Sequence, residues 1–393
     1  KKRVDLVTVS ARMEALGLSV YLAAVEGDAY LSALAIECSY APLETIVEYA
    51  KMVVDASRRR ALIIAAEELK ERAYRGADDS GTIAEQTQAT LGSLCDRSHA
   101  KTPRPLREVI HEAVRELERR YQNKSAITGV PSGLRDLDDL THGWQYSELT
   151  IIGARPSMGK TALVMQSAIH GAEMGHPGLI FTLEMAEREI GMRTISNSGQ
   201  VDGRAMKTGF LQATEWVKIT KAVQRLAGLP IHIDDDSTQT IDAICSKARR
   251  WKRDPQVFQR DTKGGFVVLD FLQLVNSGIT RKNTNREQEV TYVTRQLKAL
   301  AKELGIAVIA LASLNRALEA RSDKRPIAAD LRDSGNIESD ADSILMLYRD
   351  EVYNPETEDK GIMELLMRKA RNSEVGEKKV KWVAQSTRFE DIE

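Results

Sequence analysis

Leu149 to Thr161 reads LTIIGARPSMGKT, and its reading decides the fold. Leu149 to Ile152 is a short apolar, β-branched run of the kind that forms a buried strand. Gly153 to Met158 follows as a turn of small residues, and Gly159-Lys160-Thr161 opens a helix expected to run to about Glu173. Strand, loop, helix is the setting a phosphate-binding loop requires, because loop and helix N–H groups then converge on triphosphate oxygens without side-chain charge. Gly159 permits close backbone approach, Lys160 reaches the β- and γ-phosphates, and the Thr161 hydroxyl ligates Mg²⁺. One position departs from the usual spacing. The first glycine of G-x-x-x-x-G-K-[ST] would fall at 154, which is alanine, with Gly153 one residue early; a methyl group is tolerable there if φ is negative.

Outward from the loop, the pattern is strands alternating with helices, the mark of a mostly parallel α/β sheet. Strands are expected at Leu179–Glu184, Pro230–Asp234, Phe266–Leu274, Ile306–Leu314 and Ser343–Tyr348. Antiparallel strands at Ile362–Lys369 and Lys379–Phe389 would close the sheet edge. Between them a helix over Glu287–Leu304 carries the stripe Val290, Val293, Leu297, Leu300 and Leu304, with Gly305 as its cap. Ligands of such sheets sit at the carboxyl ends of strands. Asp270 ends the apolar run Phe266-Val267-Val268-Leu269, the placement of a carboxylate that holds Mg²⁺ through water. Glu184 ends Leu179–Leu183 and could orient and deprotonate an attacking water. Loop, Glu and Asp together specify a RecA-like P-loop ATPase core.

Upstream, residues 1 to about 96 read as almost wholly helical, including Leu43 to Tyr74 and Thr82 to about Leu94, with Arg58, Arg59 and Arg60 as a solvated face or a break. This domain shows no catalytic constellation; it is a helical interaction module or a packing appendage. Composition turns polar from Cys95 to Pro105, so residues 97–122 are a linker carrying one amphipathic helix, Leu106 to Tyr121, and 123–393 is the ATPase domain. The apolar face of that helix (Leu106, Ile110, Val114, Leu117, Tyr121) packs on its own domain or on a neighbouring subunit.

Composition excludes some classes. The 393 residues are long enough for two domains, and 42% hydrophobic with 29% charged residues describes a soluble globular chain. A net charge of −1 gives no global argument for nucleic acid, so any such surface is local. Three dispersed cysteines and six scattered histidines lack metal-ligand spacing and fit a reducing, cytoplasmic setting. No apolar run approaches a membrane span. The start at Lys1-Lys2-Arg3, without Met, points to further sequence upstream. The basic run Lys247–Arg253, with Trp251 inside it, reads as a solvated face at a helix C-terminus rather than a nucleic-acid patch.

The stretches GARPSMGKTAL (153–163), FTLEM (181–185), LDFLQL (269–274), LKALAKELGI (297–306), LNRALEARSDKRP (314–326), DLRDSGNIESDAD (330–342) and LYRDEVY (347–353) resemble the DnaB-type hexameric replicative DNA helicases. The first domain resembles that family's N-terminal domain only in its later part. The resemblance implies a homohexamer with ATP sites between subunits, Mg²⁺ dependence, and 5′-to-3′ translocation on single-stranded DNA with duplex unwinding. It also implies an N-terminal collar for primase and a helicase loader on the C-terminal side. The nucleotide loop would then comprise Gly153, Ala154, Arg155, Pro156, Ser157, Met158, Gly159, Lys160, Thr161 and Ala162, with Arg193 a further contact. In Arg368-Lys369-Ala370-Arg371-Asn372, Lys369 and Arg371 match the pair that reaches the neighbour's site, Arg371 as arginine finger; by themselves they read equally as basic residues on an edge strand. Lys324, Arg325, Arg332, Asp333 and Gly335 match the DNA-facing loops of the channel, where backbone N–H groups and an Arg hold phosphates without reading bases. One position departs from the family: Ser313 stands where Gln usually senses the γ-phosphate, with Gln273 or Asn315 as substitutes. The competing readings are a RecA-like filament-forming recombinase and an ATP-binding primase scaffold that does not unwind.

Overall fold

The computed structural model describes residues 43–76, 104–123, 127–259, 262–278, 285–331 and 337–392, with scattered positions between 13 and 90. Two compact units divide the chain, Lys1–Ala113 and Val114–Glu393.

In the first unit, helix α1 (Leu43–Arg75) runs without interruption through Arg58–Arg60, so these arginines mark no break. Arg59 instead pairs with Asp55 one turn earlier, at 2.9 Å. Met52, Val53, Leu62, Ile63, Ile64 and Tyr74 are exposed along this helix. The helix expected from Thr82 to Leu94 lies almost wholly outside the described residues. Helix α2 (Leu106–Asn123) contains the boundary between the units, and its stripe Leu106, Ile110, Val114, Leu117 and Tyr121 is exposed.

The second unit continues through α3 (Arg135–Thr141), β1 (Leu149–Ala154), α4 (Lys160–Glu173), β2 (Gly178–Thr182), α5 (Glu187–Gly199), α6 (Gly203–Thr208), α7 (Ala213–Leu226), β3 (Ile231–Asp234) and α8 (Ile241–Lys252). Then come β4 (Phe266–Asp270), α9 (Arg286–Leu304), β5 (Ala307–Ser313), α10 (Ile337–Asp340), β6 (Ser343–Tyr348), β7 (Ile362–Ala370), β8 (Gly376–Val383) and β9 (Arg388–Asp391). The strands form one sheet in the order β3-β2-β4-β5-β1-β6-β7-β8-β9. Pairings from β3 to β6 are parallel, and those among β6, β7, β8 and β9 are antiparallel.

Strands buried on both faces need apolar residues at every position, which explains their continuous Val/Ile/Leu runs. Alternate residues feed the two faces. Leu149, Ile151, Val267, Leu269 and Val308 pack with Ile241, Ile244 and Ala248 of α8 and Val290, Val293 and Leu297 of α9. Ile152, Ile180, Val268 and Ile309 pack with Leu163, Val164 and Ala168 of α4, with Leu137 of α3 and with Leu134, which precedes α3. Leu297 is fully buried in the first layer, so truncation to Ala there costs about 2–5 kcal/mol. Gly305 caps α9 with φ of 62°, as the sequence predicts.

Several element ends differ from expectation; β2 stops at Thr182, so Glu184 follows the strand instead of ending it. β1 extends through Gly153 and Ala154, so both belong to the strand. A Cβ at Gly153 would lie 2.5 Å from Met346 Sδ on β6, so this glycine serves strand packing. β4 ends at Asp270, and Leu272–Leu274 turns as a 3₁₀ helix with Leu272 still buried. The C-terminal strand is two, β8 and β9, joined by a 3₁₀ turn at Ala384–Ser386 and by Thr387 at φ 46°.

Candidate nucleotide site and the opposite sheet edge

Parallel strands β1, β2, β4 and β5 all present their carboxyl ends on one sheet edge, and the phosphate loop leaves β1 there. Ala154 keeps strand conformation, so its methyl group is accommodated and the missing glycine costs nothing. Strain is taken instead by Ser157 at φ 63° and Gly159 at φ 100°. At Gly159 the left-handed backbone disfavours any side chain, and a Cβ would press on Phe389 Cζ at 3.1 Å. Pro156 and Ser157 are exposed at the loop tip, Met158 is buried beneath it, and Ala162 is partly buried in the first turn of α4.

Lys160 Nζ donates to Ala154 O at 2.7 Å, curling over the loop. Burial lowers its pKa to about 8, partly opposed by the carboxylates of Asp270 and Glu184. Thr161 Oγ1 donates to Asp270 Oδ2 at 2.7 Å, linking α4 to the end of β4. Burial raises the Asp270 pKa, while the Thr161 hydrogen bond and the Lys160 charge act to lower it. β2 ends at Thr182, and Glu184 lies two residues beyond, exposed, with its charge felt at both Lys160 and Asp270. Arg193 on α5 pairs with Glu189 at 2.8 Å, and its charge also acts to lower the Asp270 pKa.

Neighbouring elements fix the loop. Arg155 pairs with Glu319 at 2.7 Å and donates to Leu314 O at 3.0 Å, tying the loop to the segment after β5. Ser313 ends β5 beside Ala154. The Gln273 side chain brackets Ser313, with Nε2 donating to its carbonyl at 3.3 Å and Oε1 accepting from its N–H at 3.1 Å. A glutamine amide thus lies beside the position where the family carries Gln. Asn315 instead caps the next turn by accepting from Ala317 N at 3.1 Å. Sequence reasoning missed Arg349, whose Nη2 donates to Ser157 O at 3.1 Å and whose guanidinium lies 5.0 Å from the Trp382 ring. Its place within LYRDEVY was the available signal; the contribution of Trp382 and Phe389, over 200 residues from the loop, had none.

Lys369 and Arg371 lie elsewhere. β7 runs antiparallel to β6, so Ala370 pairs with Ser343 at the amino end of the parallel strands. From Leu149 to Ala154 the sheet spans about 17 Å at the usual strand rise. Lys369 and Arg371 therefore sit on the edge opposite the phosphate loop of their own chain. Lys369 Nζ donates to Glu338 O and to Ala341 O, the latter at 2.7 Å; burial and the Arg371 charge lower its pKa. Arg371 donates to Asp342 Oδ1 at 3.2 Å and to Ser339 O at 2.9 Å, its side chain half exposed.

Of the residues matched to DNA loops, Arg332, Asp333 and Gly335 lie outside the described residues. Lys324 Nζ stands 5.2 Å over the Tyr353 ring. Arg325 makes a bidentate pair with the buried carboxylate of Glu364 at 2.7 and 2.8 Å and lies 5.2 Å from the Tyr348 ring, which commits it to the fold. The basic run of α8 is likewise engaged: Lys247 pairs with Asp234 at 2.7 Å, Arg249 with Glu303 at 2.9 Å, and buried Trp251 packs edge-on against Phe258.

A family model described as DnaB-like helicase C terminal domain matches residues 129–391. The chain is 36% identical over 392 residues to the replicative DNA helicase DnaB of Geobacillus stearothermophilus, covering 99% of this chain and 83% of that protein. Against the DnaB of Haemophilus influenzae it is 35% identical over 397 residues, covering 99% and 82%. Among solved structures, a DnaB-like replicative helicase described with its interactions with primase aligns at TM-score 0.67 and 30% identity, covering 99% of this chain and 88% of that one. A second solved structure, described as an ATPase domain, aligns at TM-score 0.69 and 33% identity over 74% of this chain and 100% of the other. With its phosphate loop, strand-end carboxylates and RecA-like sheet, the chain belongs to the DnaB-like replicative DNA helicases.

Proposed function

We propose that this chain is the ATP-driven subunit of a homohexameric cytoplasmic ring that moves 5′-to-3′ along single-stranded DNA and displaces the complementary strand. The observation that carries the reading is the division of the site: nucleotide groups on one sheet edge, Lys369 and Arg371 on the other. A site of that kind is completed only by the next copy, which a closed head-to-tail ring supplies at every interface.

Lys160 and the loop N–H groups bind the β- and γ-phosphates. Glu184 orients a water and takes its proton as the water oxygen bonds to the γ-phosphorus and the bond to the β–γ bridging oxygen breaks. Arg371 of the adjacent copy stabilises charge on the transferring group, with Lys369 beside it. The paired oxygens of Thr161 and Asp270 are hard donors that would hold a Mg²⁺, which would supply charge neutralisation at the phosphates. Gln273, bracketing Ser313, stands where the state of the γ-phosphate can be passed to the DNA-facing segment after β5, of which Lys324, Arg332, Asp333 and Gly335 are the phosphate contacts. Arg325, paired with Glu364, supports this segment beside those contacts.

The exposed stripe of α2 would dock on the adjacent subunit, and the exposed apolar residues of α1 give the N-terminal domain a surface for collar contacts and for primase. A helicase loader would act on the C-terminal side. The domains are read as 1–96, 97–122 and 123–393. No helix among the described residues is long and apolar enough to cross a membrane.

The test is displacement of a labelled strand from forked duplexes with either a 5′ or a 3′ loading tail, in ATP and Mg²⁺, with particles viewed by electron microscopy. Closed six-membered rings that need the 5′ tail are expected. Open filaments would favour the recombinase reading, and rings that hydrolyse ATP without displacement the scaffold reading.

A further inference from the structure

We propose that Asp342 is a positioning residue for Arg371, holding the guanidinium in the pose from which it enters the neighbouring subunit's nucleotide site. The inference rests on the reading of Arg371 as a trans-acting finger.

Asp342 sits between α10 and β6, only 3% exposed, and each of its polar atoms is committed. Its N–H donates to Leu149 O at 2.9 Å, and its Oδ2 accepts from Leu149 N at 2.8 Å and from Lys298 Nζ. Its Oδ1 accepts from Arg371 Nη1 at 3.2 Å, and its carbonyl accepts from Arg371 N at 3.0 Å. Arg371 is thereby held at backbone and side chain by one buried residue, while Ser339 O takes the second terminal nitrogen at 2.9 Å.

The chemistry suits positioning rather than neutralisation. Lys298, which also donates to Ser147 O at 3.0 Å, shares the carboxylate, so Asp342 does not cancel the guanidinium charge alone. Arg371 keeps a half-exposed side chain, paired with a carboxylate that Lys298 shares, and so presents part of its guanidinium to phosphate from a rigid base. Freed of Asp342, a long arginine side chain samples many rotamers and is rarely in reach. Asp342 also pins the amino end of β1, so a purely structural role in its own chain is the alternative to exclude.

Co-assembled rings separate the two. Asp342→Asn keeps the shape and removes the charge. Alone, it should bind a fluorescent ATP analogue within about twofold of wild type, since its own phosphate loop is on the other edge. Its DNA-stimulated kcat should fall about 10- to 100-fold, below the loss from removing an arginine finger outright. Mixed with Lys160→Ala, whose finger edge is intact, it should regain turnover, because an intact finger then faces an intact loop. Arg371→Ala mixed with Lys160→Ala is the calibration. If that pair recovers and the Asp342→Asn pair does not, Asp342 acts within its own chain and the inference is overturned. If the Arg371→Ala pair itself shows no recovery, the shared-site reading fails instead. Should Asp342→Asn not assemble, Asp342→Glu, which keeps the charge but displaces it by one methylene, goes through the same mixing: lowered kcat with recovery supports positioning, and lowered kcat without recovery overturns it.

Discussion

Nucleotide affinity should fall steeply above pH 8, because the charge that binds the phosphates sits on a lysine whose burial lowers its pKa to about 8. The sign follows from which form binds. Only the ammonium attracts phosphate, and burial disfavours it in the free protein, so raising pH removes the binding form. With a pKa near 8, about 90% of Lys160 is charged at pH 7 and about 10% at pH 9, so the apparent Kd should rise roughly tenfold per unit above pH 8. Two other titrations are kept out of this window. The nucleotide's terminal phosphate, with a second pKa of about 6, is ionised throughout the range, and burial raises the Asp270 pKa while the Thr161 hydrogen bond and the Lys160 charge act to lower it. The assay is a fluorescent-nucleotide titration at fixed Mg²⁺ and ionic strength from about pH 7.5 to about pH 9.5, a range that brackets the lysine, with Lys160→Ala as control. Wild type should weaken across that range while the variant binds poorly and stays flat. A wild-type Kd independent of pH would show that Lys160 is not the titrating phosphate ligand and would refute the reasoning.

Other expectations concern single side chains. Gly159→Ala forces a residue at φ 100° against Phe389 and should cost about 1–3 kcal/mol of stability by thermal unfolding, with loss of nucleotide binding. Arg325→Ala strips the partner from buried Glu364; because the guanidinium is 40% exposed, the cost falls from the roughly 3–5 kcal/mol of a buried pair to about 1–3 kcal/mol. Its lowered Tm should therefore exceed any loss of single-stranded DNA affinity, the reverse of the pattern for Lys324→Ala. Leu117→Asp puts a charge in the exposed stripe of α2 and should break hexamers into smaller species by light scattering; intact hexamers would remove that helix from the interface.

The parts of this molecule that depend on local pattern were legible in its sequence. Buried strands announce themselves by apolar, β-branched runs, so β1, β2, β4, β5 and β6 exist where those runs lie, and the apolar run before Asp270 marks it as a strand-end residue. The α9 stripe and its Gly305 cap were equally plain. Strand ends were less so. Leu272 is as buried in a 3₁₀ turn as it would be in a strand, so burial alone could not end β4 at Asp270. The turn at Ala384–Thr387 has no glycine or proline to mark it, and the left-handed residue is a threonine. Long-range pairing was illegible: nothing near Arg325 points to Glu364, and nothing near Arg371 marks Asp342 as the carboxylate that receives it. Topology alone reveals that the loop and the basic pair occupy opposite sheet edges, the separation on which the proposal of a shared site rests.

The most direct test of the shared site compares ATP turnover, with and without single-stranded DNA, in wild type, Lys160→Ala and Arg371→Ala, alongside nucleotide binding by each. A shared site requires DNA-stimulated turnover in wild type and its loss in both variants, with binding lost in Lys160→Ala and retained in Arg371→Ala. Turnover by Arg371→Ala equal to wild type, stimulated by DNA or not, would contradict it.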